Sequence, residues 1–304
     1  MSQTGLPPVS SQGFEYGVKH FLCPDTSIAL PLIERVLNLN ADSVMDLFQL
    51  GAVYINNLRC TDPNQNCKWG DLIRVHTKPR RYFIDWNWNS RIVFNHSDFL
   101  ILNKPSGIPS HPSVDNLLEN SLTQTEKAIA EKLFISHRLD TLTEGLIVYG
   151  KKSEFVKEFN IQLQNHQISK KYVALCETQK ILPQKVVHYM IKSPRAPKKV
   201  TAEFSEQSDY CELHIEQQKN IHPQLSWVKI NLLTGRTHQI RAQLSDLGAP
   251  LAGDTMYGAQ LPWAVLTPEG KKNEGIALRS QFIEFKYADQ IFQFDLPDTF
   301  DILV

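Results

Sequence analysis

Five short segments dense in β-branched and aromatic residues constrain this chain most: FLILNK (99–104), GLIVYGK (145–151), KYVALCE (171–177), CELHIE (211–216) and WVKINLLTG (227–235). Such segments read as strands. A doubly wound parallel sheet needs a helix-length crossover between consecutive strands, and several of these segments follow one another without one. The pattern predicts an α+β fold: a mixed, mainly antiparallel sheet flanked by helices. Three helices are also spelled out. Ser121 with Gln124 opens a segment carrying Ile129 and Leu133. Ser153 precedes Phe155, Phe159 and Leu163, and Thr237 precedes Ile240, Leu244 and Leu247, with Gly248 to end that helix.

At 304 residues the chain has room for one small domain and one large one. Residues 1–25, rich in Gly, Pro, Ser and Gln, read as a loose N-terminal arm. In residues 26–84, Leu32, Ile33, Val36 and Leu37, then Val44, Leu47 and Phe48, mark two helices. AVYIN and DLIRV follow as strands, separated by turn spellings at Asn56 and at 69–71. A basic run of Lys78, Arg80 and Arg81 closes this unit, and residues 85–304 form the large domain.

The 32 basic and 32 acidic side chains cancel, so no whole-molecule field draws the protein onto a polyanion. Contact with one must come from local patches such as Lys170–Lys171 and the acid-free run KSPRAPKK (192–199). Cys23, Cys60, Cys67, Cys176 and Cys211 form no CxxC pair, and no His cluster has metal spacing. Reduced structural thiols and no metal site are the expectation. Nothing reads as a secretory leader or a membrane span, which points to a cytoplasmic protein without a membrane partner. No protein partner is implied, and a monomer is expected.

Chemistry concentrates in HRLDTLTEGLIVYGKK (137–152), where Asp140 stands beside Arg138 and His137 just ahead of an apolar strand. Taken alone, that tetrapeptide is as easily a capped turn with a solvated arginine. Three other segments accompany it in fixed order. NKPSGIPSHP (103–112) is a loop locked by Pro and Gly, and KKYVALCE (170–177) is a strand. INLLTGRTHQIRAQLSDLGAPLAGDTMYG (230–258) runs from a strand through a tight turn at Gly235 into a polar helix start and a Gly/Pro-rich loop.

Together these segments resemble the RluA-type family of RNA pseudouridine synthases, whose spellings are NKPxGxxxHP, HRLDxxTSG, KxYxA and GRTHQIRxxxxxxGxPxxGDxxYG. The likeness runs over roughly residues 92 to 285. It departs where Glu144 replaces the usual Ser, bringing a negative charge toward Asp140, and where Ala277-Leu278-Arg279-Ser280 replaces ALHA. The stretch from Ile181 to Pro223 is insert-like. The resemblance implies isomerisation of uridine to pseudouridine in structured ribosomal or transfer RNA, without a cofactor. It makes Asp140 the essential carboxylate, Tyr172 the active-site tyrosine, Arg241 the basic partner of Asp140, and Leu278 the apolar residue beneath the target base. The small N-terminal unit resembles a divergent S4-like RNA-binding domain.

That chemistry needs these residue types. The N1–C1′ bond must break and C5 must bond to C1′, so a carboxylate has to act on the sugar, and an arginine in contact fixes its direction. A tyrosine can stack on the uracil and assist proton removal from C5. Both reacting atoms are unreachable in a stacked uridine, so the nucleotide must be flipped out. Arg138 can fill the gap it leaves. His137, Arg236 and His238 are candidate phosphate holders, and Thr143 and Gln239 complete the expected RNA contacts. Two alternatives stand beside this reading. A catalytically silent RNA-binding protein is disfavoured by the joint presence of Asp140, Tyr172 and Arg241. A glycoside hydrolase needs two carboxylates across one bond, and nothing in the sequence pairs Asp140 with Glu144 in that way.

Overall fold

The computed structural model describes residues 17–266 and 272–297. They fall into two units: one takes its described residues from the stretch up to Ile84 and from His111–Gln124, the other from Asp85–Ser110 and from Thr125 onward.

In the first unit, strand β1 (Val18–Leu22) precedes helices α1 (Ala29–Leu37) and α2 (Ala41–Gln49), then β2 (Val53–Ile55), β3 (Leu58–Cys60) and β4 (Leu72–His76). The sheet order is β1-β4-β2-β3, antiparallel throughout. Asn56 and Asn57 make the β2–β3 turn with φ of 50° and 67°, left-handed values that Asn tolerates and that match the strand twist. Asn40 caps α2, its Oδ1 accepting from the Ser43 N–H at 2.8 Å. Leu32, Ile33, Val44, Phe48, Val53, Ile73 and Val75 form the core between helices and sheet.

Two features correct the sequence reading. Residues 1–16 of the expected arm lie outside the described residues, but Val18–Leu22 is a paired strand, in register with β4 from Val18↔His76 to Leu22↔Leu72. Residues 111–124, assigned from sequence to the large domain, group with the first unit. Ion pairs and hydrogen bonds tie this segment to the first unit, among them the Leu117 N–H on the Leu50 carbonyl at 2.7 Å. Asp115 takes Arg80 in a two-pronged pair at 3.0 and 2.8 Å, and Glu119 takes Arg81 at 2.7 Å and the Tyr82 N–H at 2.7 Å. These bonds, outweighing burial, hold both carboxyls below their usual range. Both arginines of the basic run at 78–81 are therefore paired with acids of their own unit, although their side chains stay exposed.

The second unit is built on β5 (Ile92–Asn95), β6 (Phe99–Lys104), β7 (Glu144–Gly150), β8 (Ser169–Cys176), β9 (Lys185–Ile191), β10 (Ser208–His222), β11 (Leu225–Leu232), β12 (Leu278–Tyr287) and β13 (Gln290–Asp295). Their order is β9-β10-β11-β8-β12-β7-β6-β5, with β13 on β12. The β7–β12 pair is parallel and the other pairs are antiparallel, so the sheet is mixed and mainly antiparallel. The insert-like 181–223 stretch supplies β9 and β10. Helices α3 (Ser121–Ile129), α4 (Ser153–Gln164) and α5 (Gln239–Asp246) match the three expected, but their caps differ. Asn120, not Ser121, caps α3 by accepting from the Thr123 N–H; at α5 the N-cap position is His238, not Thr237, whose hydroxyl oxygen accepts from Arg138 at 3.1 Å. Phe155 and Phe159 of α4 pack on Phe99, Leu146, Val148 and Phe285, a dry face that keeps the centre of the sheet rigid.

At the parallel join the backbones come very close. A Cβ on Gly145, which has φ +106°, would lie 2.2 Å from the Ser280 oxygen, so only glycine fits.

Candidate active site

Asp140 stands on a turn leading into β7, closed by the Thr143 N–H on the Asp140 carbonyl at 3.1 Å. The 103–110 loop holds that turn. Ser110 Oγ donates to the Leu139 carbonyl at 2.8 Å, Ser106 Oγ to Leu142 at 2.6 Å, and the Gly107 N–H to Thr141 at 2.9 Å. Lys104 completes the clamp from within. It is fully buried, and its ammonium donates to the carbonyls of Pro105 (3.0 Å), Ile108 (2.7 Å) and Thr141 (3.2 Å). Burial pulls its pKa down to about 7, partly opposed by the charges of Asp140 and Glu144. Sequence reading gave Lys104 no role. Its signal was a lysine ending an otherwise apolar strand.

A cavity of about 570 Å³ opens above this turn, and all ten residues singled out from the sequence line it. Tyr172 on β8, just past a register shift, and Leu278 on β12 come from neighbouring strands, and both are buried. Burial, helped by the nearby Asp140 charge, pushes the Tyr172 phenol up to about 12 against a hydrogen bond from Ser280. Arg241, on α5, points Nη1 at Asp140 Oδ2 from 3.6 Å. Its tightest partner is different. Asp254, almost completely buried, grips Arg241 through two bonds of 2.7 and 2.9 Å, and the guanidinium lies 4.8 Å from the Tyr257 ring centroid. Asp254 and Tyr257 were missed, although both lie in the GDTMYG stretch of the motif. His238 Nε2 faces Asp140 Oδ2 at 3.7 Å, while Oδ1 has no hydrogen bond among the described residues.

The expected RNA contacts separate on inspection. Arg138 and Arg236 are exposed at the cavity, as a nucleic-acid contact requires. Three residues depart from expectation. His137 lends Nε2 to the Val148 N–H at 3.0 Å and stacks on Phe159, and burial drops its pKa to about 3, so it brings no charge to a phosphate. Gln239 is spent internally: Oε1 accepts from the Arg236 N–H (3.0 Å) and from Thr234 (2.9 Å), while Nε2 donates to Glu212 and Gln243. Thr143 is buried and serves the turn. The two flagged lysines also part. Lys171 pairs with Glu216 at 2.8 Å, whereas Lys170 lines the cavity beneath Gly235.

Glu144 does not leave a loose charge beside Asp140. It sits opposite Arg279 in the parallel β7–β12 register and accepts from its Nε at 2.6 Å, so the two departures from the family spelling neutralise each other. Each partner is less than a fifth exposed. Glu144→Ser or Arg279→His alone should therefore cost about 2 kcal/mol, and the double substitution about 1 to 2 kcal/mol less than their sum. Chemical denaturation of the four proteins measures this coupling, and strict additivity would refute it.

Among the described residues no group of three or more His, Cys, Asp or Glu is placed to hold a metal ion, and the five cysteines are free and buried. No helix in the described residues is long and apolar enough to cross a membrane.

Residues 98–246 match the family model described as RNA pseudouridylate synthase. An uncharacterized RNA pseudouridine synthase of Haemophilus influenzae is 31% identical over 55% of this chain and 73% of its own length. The Arabidopsis thaliana protein called RNA pseudouridine synthase 6, chloroplastic, is 34% identical over 66% of this chain, which spans 47% of that relative. In fold, the human protein RNA Pseudouridylate Synthase Domain Containing 4 superposes with a TM-score of 0.55 at 20% identity, covering 69% of this chain and 89% of the human one.

Proposed function

The chain belongs to the RNA pseudouridylate synthase family, and on that footing we propose that it converts uridine to pseudouridine in RNA, with Asp140 acting on the sugar. The observation that carries this reading is the meeting of Asp140, Tyr172, Arg241 and Leu278 on one cavity large enough for a flipped nucleotide. In sequence the N1–C1′ bond breaks, the uracil turns, C5 bonds to C1′, C5 loses a proton and N1 gains one. Atoms and electrons balance without an added reactant.

Each group has a task consistent with its surroundings. Arg241 and His238 both face Oδ2, which leaves Oδ1 as the oxygen presented to the sugar. Leu278 supplies an apolar floor for the uracil. Tyr172, with a pKa near 12, enters as a neutral phenol, a stacking face and hydrogen-bond donor more than a ground-state base. Loss of the C5 proton comes last, from an acidic intermediate, so a weak acceptor suffices. Arg138 and Arg236 at the rim supply charge for the RNA backbone, and the first unit, S4-like in sequence, serves as an accessory RNA-binding module. Tyr172→Phe keeps the ring and loses the hydroxyl. Turnover should fall about 100-fold with RNA affinity unchanged within about threefold. Single-turnover kinetics with a binding titration separates the two, and near-normal turnover would remove Tyr172 from the chemistry.

A further inference from the structure

The sequence suggests His238 as a phosphate-holding cation, but its hydrogen bonds describe something else. Its ring is mostly buried, held at a left-handed backbone position with φ 59°. Nδ1 lies 3.0 Å from the Tyr257 hydroxyl, and that hydroxyl also meets the Lys198 backbone N–H at 2.7 Å. The direction of this chain is fixed from one end. A backbone amide can only donate, so the Tyr257 oxygen accepts from Lys198. The buried Tyr257 hydroxyl hydrogen then has one acceptor among the described residues, His238 Nδ1. The opposite arrangement, Nδ1–H donating to Tyr257, would leave the hydroxyl hydrogen buried and unpaired. Nδ1 is thus the bare nitrogen and Nε2 carries the hydrogen, which faces Asp140 Oδ2 at 3.7 Å.

The groups around the ring agree with a neutral imidazole. Burial, together with the charges of Arg241 and Lys198, outweighs the pull of Asp140 and Asp254 and keeps His238 below the usual histidine range. Lys198 belongs to the basic 192–199 run, whose Lys192, Ser193 and Lys198 line a second cavity of about 460 Å³ with Asp209, Thr237 and Arg236. Arg236 is common to both cavities.

The geometry points to His238 as a positioning residue: a neutral donor that steers Asp140 through Oδ2, its tautomer dictated by the Lys198 amide through Tyr257. The 192–199 hairpin thereby ties its RNA-facing charges to the orientation of the catalytic carboxylate. The present 3.7 Å separation shortens when substrate closes the site, as unliganded catalytic contacts commonly do. This rests on the pseudouridine synthase reading, and it separates from the phosphate-holder role by where the damage falls.

His238→Gln keeps a neutral donor near the Nε2 position, and His238→Leu keeps bulk alone. Turnover should fall about 30-fold or more in His238→Leu, with KM for RNA and its salt dependence unchanged, and recover to within about fivefold of wild type in His238→Gln. Tyr257→Phe should share the defect, and its combination with His238→Leu should add little, because the chain acts as one unit. Raised KM and a shallower salt dependence at normal kcat in both His238 variants would overturn the proposal in favour of a phosphate contact. A readout without RNA guards against misfolding or a wrong reaction. Nitrogen NMR of ¹⁵N-histidine-labelled full-length protein, assigned with His238→Gln, should show His238 protonated at Nε2 at neutral pH, and a tautomer mixture in Tyr257→Phe. A protonated Nδ1 in the wild type would overturn the proposal, whatever the enzyme's activity. The expected tautomer in a protein that converts no uridine would instead sink the functional reading alone.

Discussion

Asp140→Asn will produce no detectable pseudouridine and will fold normally. The substitution preserves shape and removes the anionic oxygen proposed to act at the sugar; among the described residues no other carboxylate lines the cavity, and nearby Asp254 is buried and already committed to Arg241. Stability should change by less than about 1 kcal/mol. The family resemblance alone makes Arg241 depend on Asp140, which would put the loss nearer that of a broken buried pair. The structure lowers it: Asp140 stands 3.6 Å from Arg241, whereas Asp254 holds it through two short bonds that survive the substitution. RNA affinity should stay within about tenfold, since backbone contacts and stacking carry most of it. Thermal melts and a filter-binding titration of the purified variant check both statements.

Arg241→Met should be the most destabilising single change at the site. It strands Asp254, which is 1% exposed, without its only ion-pair partner among the described residues, and an uncompensated buried carboxylate costs about 3 to 5 kcal/mol. It also removes the group stacked beside Tyr257 and facing Oδ2, so activity should be lost with the stability. Arg241→Met with Asp254→Leu tells the two effects apart. The pair replaced by apolar side chains should recover most of the stability and none of the turnover. A single Arg241→Met variant as stable as wild type would show that Asp254 is solvated or otherwise paired.

The elements that sequence reading located share one property: their signal is local. The strands FLILNK, GLIVYGK and KYVALCE, the two apolar helices of the first unit and the Gly248 stop depend on neighbours in the chain, and each appears in place. Val18–Leu22 was hidden, since a short strand amid Gly, Pro and Ser becomes one only by pairing with β4, far along the sequence. Residues 111–124 were misplaced for the same reason, because the arginines that hold them lie in another segment.

In the site, the residues came out of the sequence more readily than their tasks. A motif marks which residues are constrained, but the His137 and Gln239 side chains are constrained by the fold, each accepting from a backbone N–H, and Thr143 is buried with its own N–H closing the turn. Whether a polar side chain faces out to a ligand or in to an amide is a matter of direction, and composition carries no direction. Glu144 shows the converse. Its charge looked like an intrusion until β7 and β12 set it against Arg279.

Incubating the purified protein with unmodified cellular RNA, then digesting the RNA to nucleosides and separating them by chromatography with mass detection, tests the central claim most directly. Uridine should be lost and pseudouridine gained in equal amounts at unchanged mass, with no free uracil and no added cofactor, and the Asp140→Asn protein should give none. Free uracil would mark a hydrolase, and equal pseudouridine from wild type and Asp140→Asn would contradict the role of the carboxylate on which the functional reading rests.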